Sequence, residues 1–292
     1  MATVKSGSDL IGKAKTDGER AAKKAANSPL MDRLTRLGYG IKGVIYITIG
    51  ILALGTALGK SATPADQLGA IGAIGKLPLG VPVLWVVLGG LVAYSLWGFI
   101  RALLDPFHKG TKLKGLLERG GFLVSGLTYA SFVLPTYHLI TGAGSGGSGD
   151  QTPQFVARVM SMPWGRWLVG AVGAAVVAGG AYQIYVGARK NFEQRFKPYA
   201  LSTDQRKAAT QLGRFGTISR GVVFALTGLF LCLAAFLARP GEARGLDGAL
   251  KFLDHQPYGL WILGIIAIGL MAFGVYSIMG AAWFRFKDTQ KG

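Results

Sequence analysis

The chain has 292 residues, half of them hydrophobic and only 16% charged, with a mean hydropathy of +0.38. Six apolar stretches free of Asp and Glu recur along it, each near the roughly 20 residues that a helix needs to cross about 30 Å of hydrocarbon, which excludes an ordinary soluble domain. The formal charge of +18 would point a soluble protein toward nucleic acid, but in a membrane protein Lys and Arg first serve orientation and contact with anionic lipid.

Residues 1–32 form a basic tail (Lys5, Lys13, Lys15, Arg20, Lys23, Lys24) without the apolar core of a cleavable signal peptide. Within it, residues 8–27 mix charge with Leu10, Ile11 and alanines, a pattern for a helix lying on a membrane surface. The predicted spans are about 37–59, 81–104, 120–140, 165–188, 216–238 and 259–284. Counted by side, 25 of the 32 Lys and Arg fall on one side, 9 up to Lys42, 5 in 101–119, 8 in 189–220 and 3 after 284, and the other side holds 7. The positive-inside rule therefore predicts cytoplasmic termini and outward connections near 60–80, 141–164 and 239–258. Thr141 to Pro153 is rich in Gly and Ser and reads as a flexible tether.

One pattern opens the first, third and fifth spans. Arg36-Leu37-Gly38-Tyr39 aligns with Arg119-Gly120-Gly121-Phe122 and Arg214-Phe215-Gly216-Thr217. Seven residues after each Arg comes Gly43, Gly126 or Gly221, and three later an aromatic residue, Tyr46, Tyr129 or Phe224. The even spans follow Pro78-Leu79-Gly80, Pro163-Trp164-Gly165 and Pro257-Tyr258-Gly259, and carry Tyr94, Tyr182 and Tyr276 near their inner ends. The unit is two helices used three times: repeat one over 33–110, repeat two over 111–192 and repeat three over 193–292. Two crossings per unit make the repeats parallel, so the predicted fold is an all-α integral membrane protein, six transmembrane helices pseudo-threefold about the membrane normal. The 45 glycines sit inside apolar segments, where small residues let helices approach. Gly43 with Gly50, and Gly221 with Gly228, are seven apart on one face; Gly126 is their counterpart, and Gly55 with Gly59 and Gly264, Gly269 and Gly274 extend the packing set.

This thrice-repeated opening, with helix pairs and basic inner loops, resembles the bacterial six-helix membrane family DUF1206, a domain of unknown function, over about residues 33–286. The resemblance implies the fold and a bacterial plasma membrane, and it carries no activity. Thr217 in place of an aromatic residue, and Val133 in place of the glycine at Gly50 and Gly228, depart from strict threefold symmetry.

Ionisable residues inside spans are costly and draw functional attention. Lys42 and Arg220 hold one repeat position, with Ser125 in the middle unit. They either snorkel to lipid phosphates or form a broken ring of donors at the inner mouth of the axis, a candidate site for an anionic head group or solute. The spans contain no Asp or Glu, which argues against a proton- or sodium-coupled carrier. His138 and His255 fall on one side but at helix edges, a poor arrangement for haem, and His108 lies apart. Cys232, alone in an apolar run, offers no disulfide or cluster. Gly55 to Ser61 and Gly142 to Gly147 imitate phosphate-binding loops without the strand and helix those need. Tyr94, Trp97, Tyr182, Tyr185 and Tyr276 read as an aromatic belt before a quinone site, with Gln183 beside Tyr182 a polar pair to watch. Pro135 should bend span three and free the Ser131 carbonyl.

No catalytic or metal constellation and no cofactor is read from the chain. The expected function is an accessory, assembly, lipid-binding or partner-binding membrane subunit. A passive channel or carrier for a small or anionic solute past Lys42, Ser125 and Arg220 is the alternative, and a redox subunit ranks third. Anionic lipids at the cytoplasmic face and a larger membrane complex are the expected partners; nucleic acid is not.

Overall fold

The structure, a computed structural model, describes residues 29–60, 64, 66–104, 113–143, 152–189 and 202–283. Among these residues the fold is all helical: α1 (Pro29–Ala57), α2 (Gln67–Gly75), α3 (Gly80–Leu104), α4 (Leu113–Thr141), α5 (Thr152–Met160), α6 (Gly165–Arg189), α7 (Thr203–Leu237), α8 (Leu246–Asp254) and α9 (Gly259–Trp283), with one 3-10 turn at Pro240–Glu242. Six of them, α1, α3, α4, α6, α7 and α9, are long and apolar enough to cross a membrane. Their apolar windows match the predicted spans to within a few residues except in α7, which starts at Thr203 instead of near 216. The polar stretch Thr203–Arg214 looks like a loop by hydropathy, but a capping box starts the helix there: Gln205 N–H donates to the Ser202 hydroxyl, and Ser202 N–H donates to the Gln205 side chain. α4 runs unbroken through Pro135, and the Thr136 hydroxyl donates to the Phe132 carbonyl at 2.7 Å.

Hydropathy also passes over three nine-residue helices, α2, α5 and α8, one between the two long helices of each repeat. Of the expected tether, Thr141 ends α4 while Thr152 and Pro153 open α5; its residues 144–151, and residues 1–28 of the basic tail, lie outside the described residues. Each short helix leads into a tight turn in which Pro78, Pro163 or Pro257 fixes one φ and the next residue takes a left-handed one: Leu79 at 64°, Trp164 at 64° and Tyr258 at 62°. The Gly that follows closes the turn, as Gly259 N–H does on the Gln256 carbonyl at 2.7 Å. No side chain fits there: a Cβ on Gly80 would lie 2.6 Å from the Gly75 carbonyl oxygen, and one on Gly259 2.9 Å from that of Leu253. The repeated Pro-x-Gly therefore encodes the hinge between a short helix and the even span.

The tightest helix pairs straddle the repeats. α4 packs on α3, α7 on α6, and α1 on α9, so the first long helix is the partner of the last and the bundle closes on itself. The first Arg of each repeat pattern ties its pair together. Arg119 donates from Nε to the Ala102 carbonyl (2.9 Å) and from Nη2 to that of Leu103 (3.3 Å). Arg214 does the same to Gly187 (3.2 Å) and Ala188 (3.1 Å), and Arg36 donates from Nη1 to both Ala281 (2.7 Å) and Ala282 (3.0 Å). The last carbonyls of a helix have no partner in their own backbone and carry its negative dipole end, so a guanidinium fork satisfies them in both respects. Arg166 repeats the device at the opposite end, donating to the Ala235 and Phe236 carbonyls of α7 at 2.6 Å each. Replacing Arg214 by Gln is expected to cost about 1.5–3 kcal/mol. A thermal melt of the purified variant checks this, and an unchanged midpoint would sink it.

Glycines line the same pairs. A Cβ on Gly43 would lie 2.7 Å from the Gly274 carbonyl oxygen, and one on Gly50 the same distance from that of Ala267, so both face α9. Gly221 and Gly228 face α6 in the same way, 2.8 Å from the carbonyl oxygens of Gly180 and Gly173. Gly126 meets Ser95 and Gly98 of α3, and with Val133 standing where the others have a second glycine, the middle pair touches over a shorter stretch. Of the other glycines in the expected packing set, Gly264 faces open space. Gly59 is a correction, since it takes φ +69° just past the end of α1 and terminates that helix.

The end of the bundle that carries the short helices is plugged. Ile71 of α2 and Leu250 of α8 are fully buried among Ile49, Leu84, Leu263 and Leu270. α5 buries only Val156 and lies to one side, against α6 and the 3-10 turn.

Candidate functional site

Between the plug and the opposite end, where α1 starts and α9 stops, lies a cavity of about 390 Å³ walled by α1, α3, α4 and α7, with Gln67 of α2 at its edge. Two positions of the repeat pattern supply its centre. Lys42, Ser125 and Arg220, six residues after the opening Arg, all line it; so do Tyr46, Tyr129 and Phe224, four residues further on. Three-fold equivalent residues meet only on the axis that relates the repeats, so the cavity is axial.

Its electrostatics are one-sided. The Arg220 Nε donates to the Tyr46 hydroxyl at 2.8 Å, and the guanidinium lies 4.6 Å from the Phe224 ring centre, 5.0 Å from that of Phe273 and 5.4 Å from that of Tyr46. Lys42 Nζ sits 4.9 Å from the same Phe273 ring, so one aromatic side chain serves both cations. Ring faces attract cations by about 0.5–2 kcal/mol each, enough to hold them on the axis instead of letting them reach outward. Snorkelling is thus not what Arg220 does. Tyr94 packs on Tyr129 with centres 4.3 Å apart, and Ser125 and Thr128 add hydroxyls. No carboxylate lines the cavity, and Arg220 has no acidic partner among the described residues.

The chain is matched in three consecutive stretches, residues 37–105, 120–190 and 215–283, by the family described as Domain of Unknown Function (DUF1206). It belongs to that family. Each matched stretch of DUF1206 corresponds to one long–short–long helix unit, α1–α3, α4–α6 and α7–α9. The chain is also 34% identical over 256 residues to a Bacillus subtilis (strain 168) protein described as "Uncharacterized protein YxxB", covering 88% of this chain and 92% of that relative. No solved structure matches it.

In this DUF1206 protein the aromatic residues divide differently from the expected belt. Tyr182 and Tyr185 are exposed on α6, but Tyr94 lines the cavity, and Trp97 and Tyr276 are buried. Counted from the turn glycines Gly80, Gly165 and Gly259, the equivalent of Tyr94 in the third repeat is Phe273, and Tyr182 and Tyr276 correspond to Trp97. A register counted from that glycine would have paired Tyr94 with Phe273 and placed both on the axis. Arg101, in the last turn of α3, stands among Tyr94, Trp97 and Phe122 at 5.8, 5.5 and 4.4 Å, its buried Nε without a hydrogen-bond partner. Gln183 likewise keeps a buried Oε1 without a partner. His255 is held by its own helix, Nδ1 2.7 Å from the Lys251 carbonyl oxygen, and His138 lies beside Tyr137. The described residues bring no three His, Cys, Asp or Glu side chains together.

Proposed function

We propose that this membrane protein binds an anion in its axial cavity and retains it, acting without catalysis as a ligand-binding or partner-binding subunit of a bacterial plasma membrane. The observation that carries this reading is the convergence of Lys42, Ser125 and Arg220 in one cavity, whose lining has no carboxylate among the described residues. An arginine placed in a membrane-spanning helix costs about 2.5–3.5 kcal/mol even by insertion scales, and an anion offsets that cost directly. The buried short helices favour holding over passing, since Ile71 and Leu250 fill the axis beyond the cavity and leave a blind chamber. The basic end, by the positive-inside rule, faces the cytoplasm, where the tail and the loops around 105–119 and 190–214 draw anionic lipid toward the bundle.

The test is isolation of the tagged full-length chain in mild detergent, with mass spectrometry of every co-purifying small anion, lipid and protein. Wild-type protein is expected to carry an anionic species near equal stoichiometry, and the Lys42→Gln, Arg220→Gln double variant at least tenfold less. Equal loading of both would overturn the reading. Anion flux in liposomes that disappears in the double variant would establish the channel instead.

A further inference from the structure

The three helix pairs do not meet one another equally. α9 lies close along α7, with Gly216 against the Phe273 backbone and Gly269 against Ser219. α3 meets α1 where Gly90 faces Ile41. At the third junction α4 and α6 have no comparable packing, and α4 packs mainly on α3 and α2. The apolar windows show the result: 56% of that in α9 is buried inside the protein, against 17% in α6 and 11% in α4.

Two sequence features accompany this open seam. Fourteen residues after the turn glycine, α3 places Tyr94 and α9 places Phe273 toward the axis, but α6 has Gly179, with open space where a Cβ would stand. The short helix of the middle repeat, α5, leans away from the axis that α2 and α8 plug. Meanwhile Ser125, Thr128, Tyr129 and Phe132 of α4 form one wall of the cavity.

We propose that the seam between α4 and α6 is a door from the bilayer to the cavity, and that the ligand is an anionic phospholipid whose phosphate rests at Lys42 and Arg220. This rests on the cavity's being an anion site. Charge complementarity identifies the occupant: α4 and α6 expose large apolar side chains such as Leu127, Leu134, Leu168 and Val172, the chamber beside them holds Lys42 and Arg220, and an anionic lipid is the molecule that satisfies both. Size agrees, because 390 Å³ has room for about 13 water molecules at ~30 Å³ each, enough for a glycerophosphate group, while two acyl chains must stay in the seam.

The experiment places the full-length chain in phosphatidylcholine nanodiscs containing phosphatidylglycerol with a photoreactive acyl chain. Labelling is expected on α4 and α6, displaced by unlabelled phosphatidylglycerol but not by millimolar glycerol 3-phosphate or inorganic phosphate. Arg220→Gln should reduce it at least tenfold. Tyr46→Phe, which removes only the hydroxyl that accepts from Arg220 Nε, should reduce it severalfold while the protein stays monodisperse. Displacement by inorganic phosphate as effective as by lipid would overturn the lipid door and leave the anion site standing. Even labelling of all six long helices, unchanged by either variant, would mark ordinary boundary lipid and overturn the door as well. If neither lipid nor phosphate binds, the anion reading of the cavity itself fails.

Discussion

Gly180→Leu is expected to abolish the folded protein, whereas Gly179→Leu, one residue earlier on the same helix, is expected to leave it intact. A Cβ at Gly180 would stand 2.6 Å from the Ala225 backbone nitrogen and 2.7 Å from the Gly221 carbonyl oxygen. Both atoms belong to the backbone of α7, so no rotamer change makes room, and α6 must move away from α7 along its whole length. That separation also breaks the Gly173–Gly228 contact and pulls Arg166 and Arg214 off their carbonyls. Overpacking a core by a methylene or two already costs about 1–3 kcal/mol, and four heavy atoms against rigid backbone exceed that by a wide margin in a protein stabilised by about 5–15 kcal/mol. At Gly179 nothing lies within 4 Å of the added Cβ, and leucine is the better helix former by up to about 1 kcal/mol. Size-exclusion profiles and melting curves of the two variants decide the matter. Equal behaviour would mean that α6 and α7 do not pack through this face.

Ser125→Glu is expected to cut anion binding by more than a hundredfold and to raise the melting temperature of the empty protein. Ser125 occupies the repeat position of Lys42 and Arg220 and shares their cavity, where no carboxylate lies among the described residues. A glutamate there becomes an internal counterion. In a low-dielectric chamber one carboxylate offsets much of the positive charge that the ligand would otherwise neutralise, so ligand and side chain compete for the same cations. Ser125→Gln, of nearly the same size, separates charge from bulk and should lose far less binding. If both variants bind as wild type does, the two cations are not the ligand's partners.

Much of this architecture was legible because the repeat writes it three times. The Arg-x-Gly opening located three odd helices, and its sixth and tenth following positions supplied the axial residues, Lys42, Ser125 and Arg220 with Tyr46, Tyr129 and Phe224. What stayed hidden was what hydropathy cannot express. α7 begins thirteen residues early because Ser202 and Gln205 cap a polar stretch that reads as a loop. Hydropathy does not register α2 and α8, because nine residues are too few for a crossing, although their buried Ala70, Ile71, Ile74 and Leu246, Ala249, Leu250 recur at helical spacing. The pairing of α1 with α9 has no local signal at all, since glycines spaced by seven announce a close neighbour without naming it.

That last pairing carries a consequence for how the protein is made. Arg36 and the Ala281 carbonyl it holds are 245 residues apart, which at about 5–20 residues per second separates their synthesis by tens of seconds. For that interval α1 stands in the bilayer with the Gly43 and Gly50 face uncovered, while α3 with α4, and then α6 with α7, find partners made just before them. The ribosome thus delivers two finished hairpins and one waiting helix, and α9 acts as the clasp. A chain cut short before α9 leaves that clasp open and the Gly43 and Gly50 face of the first helix exposed.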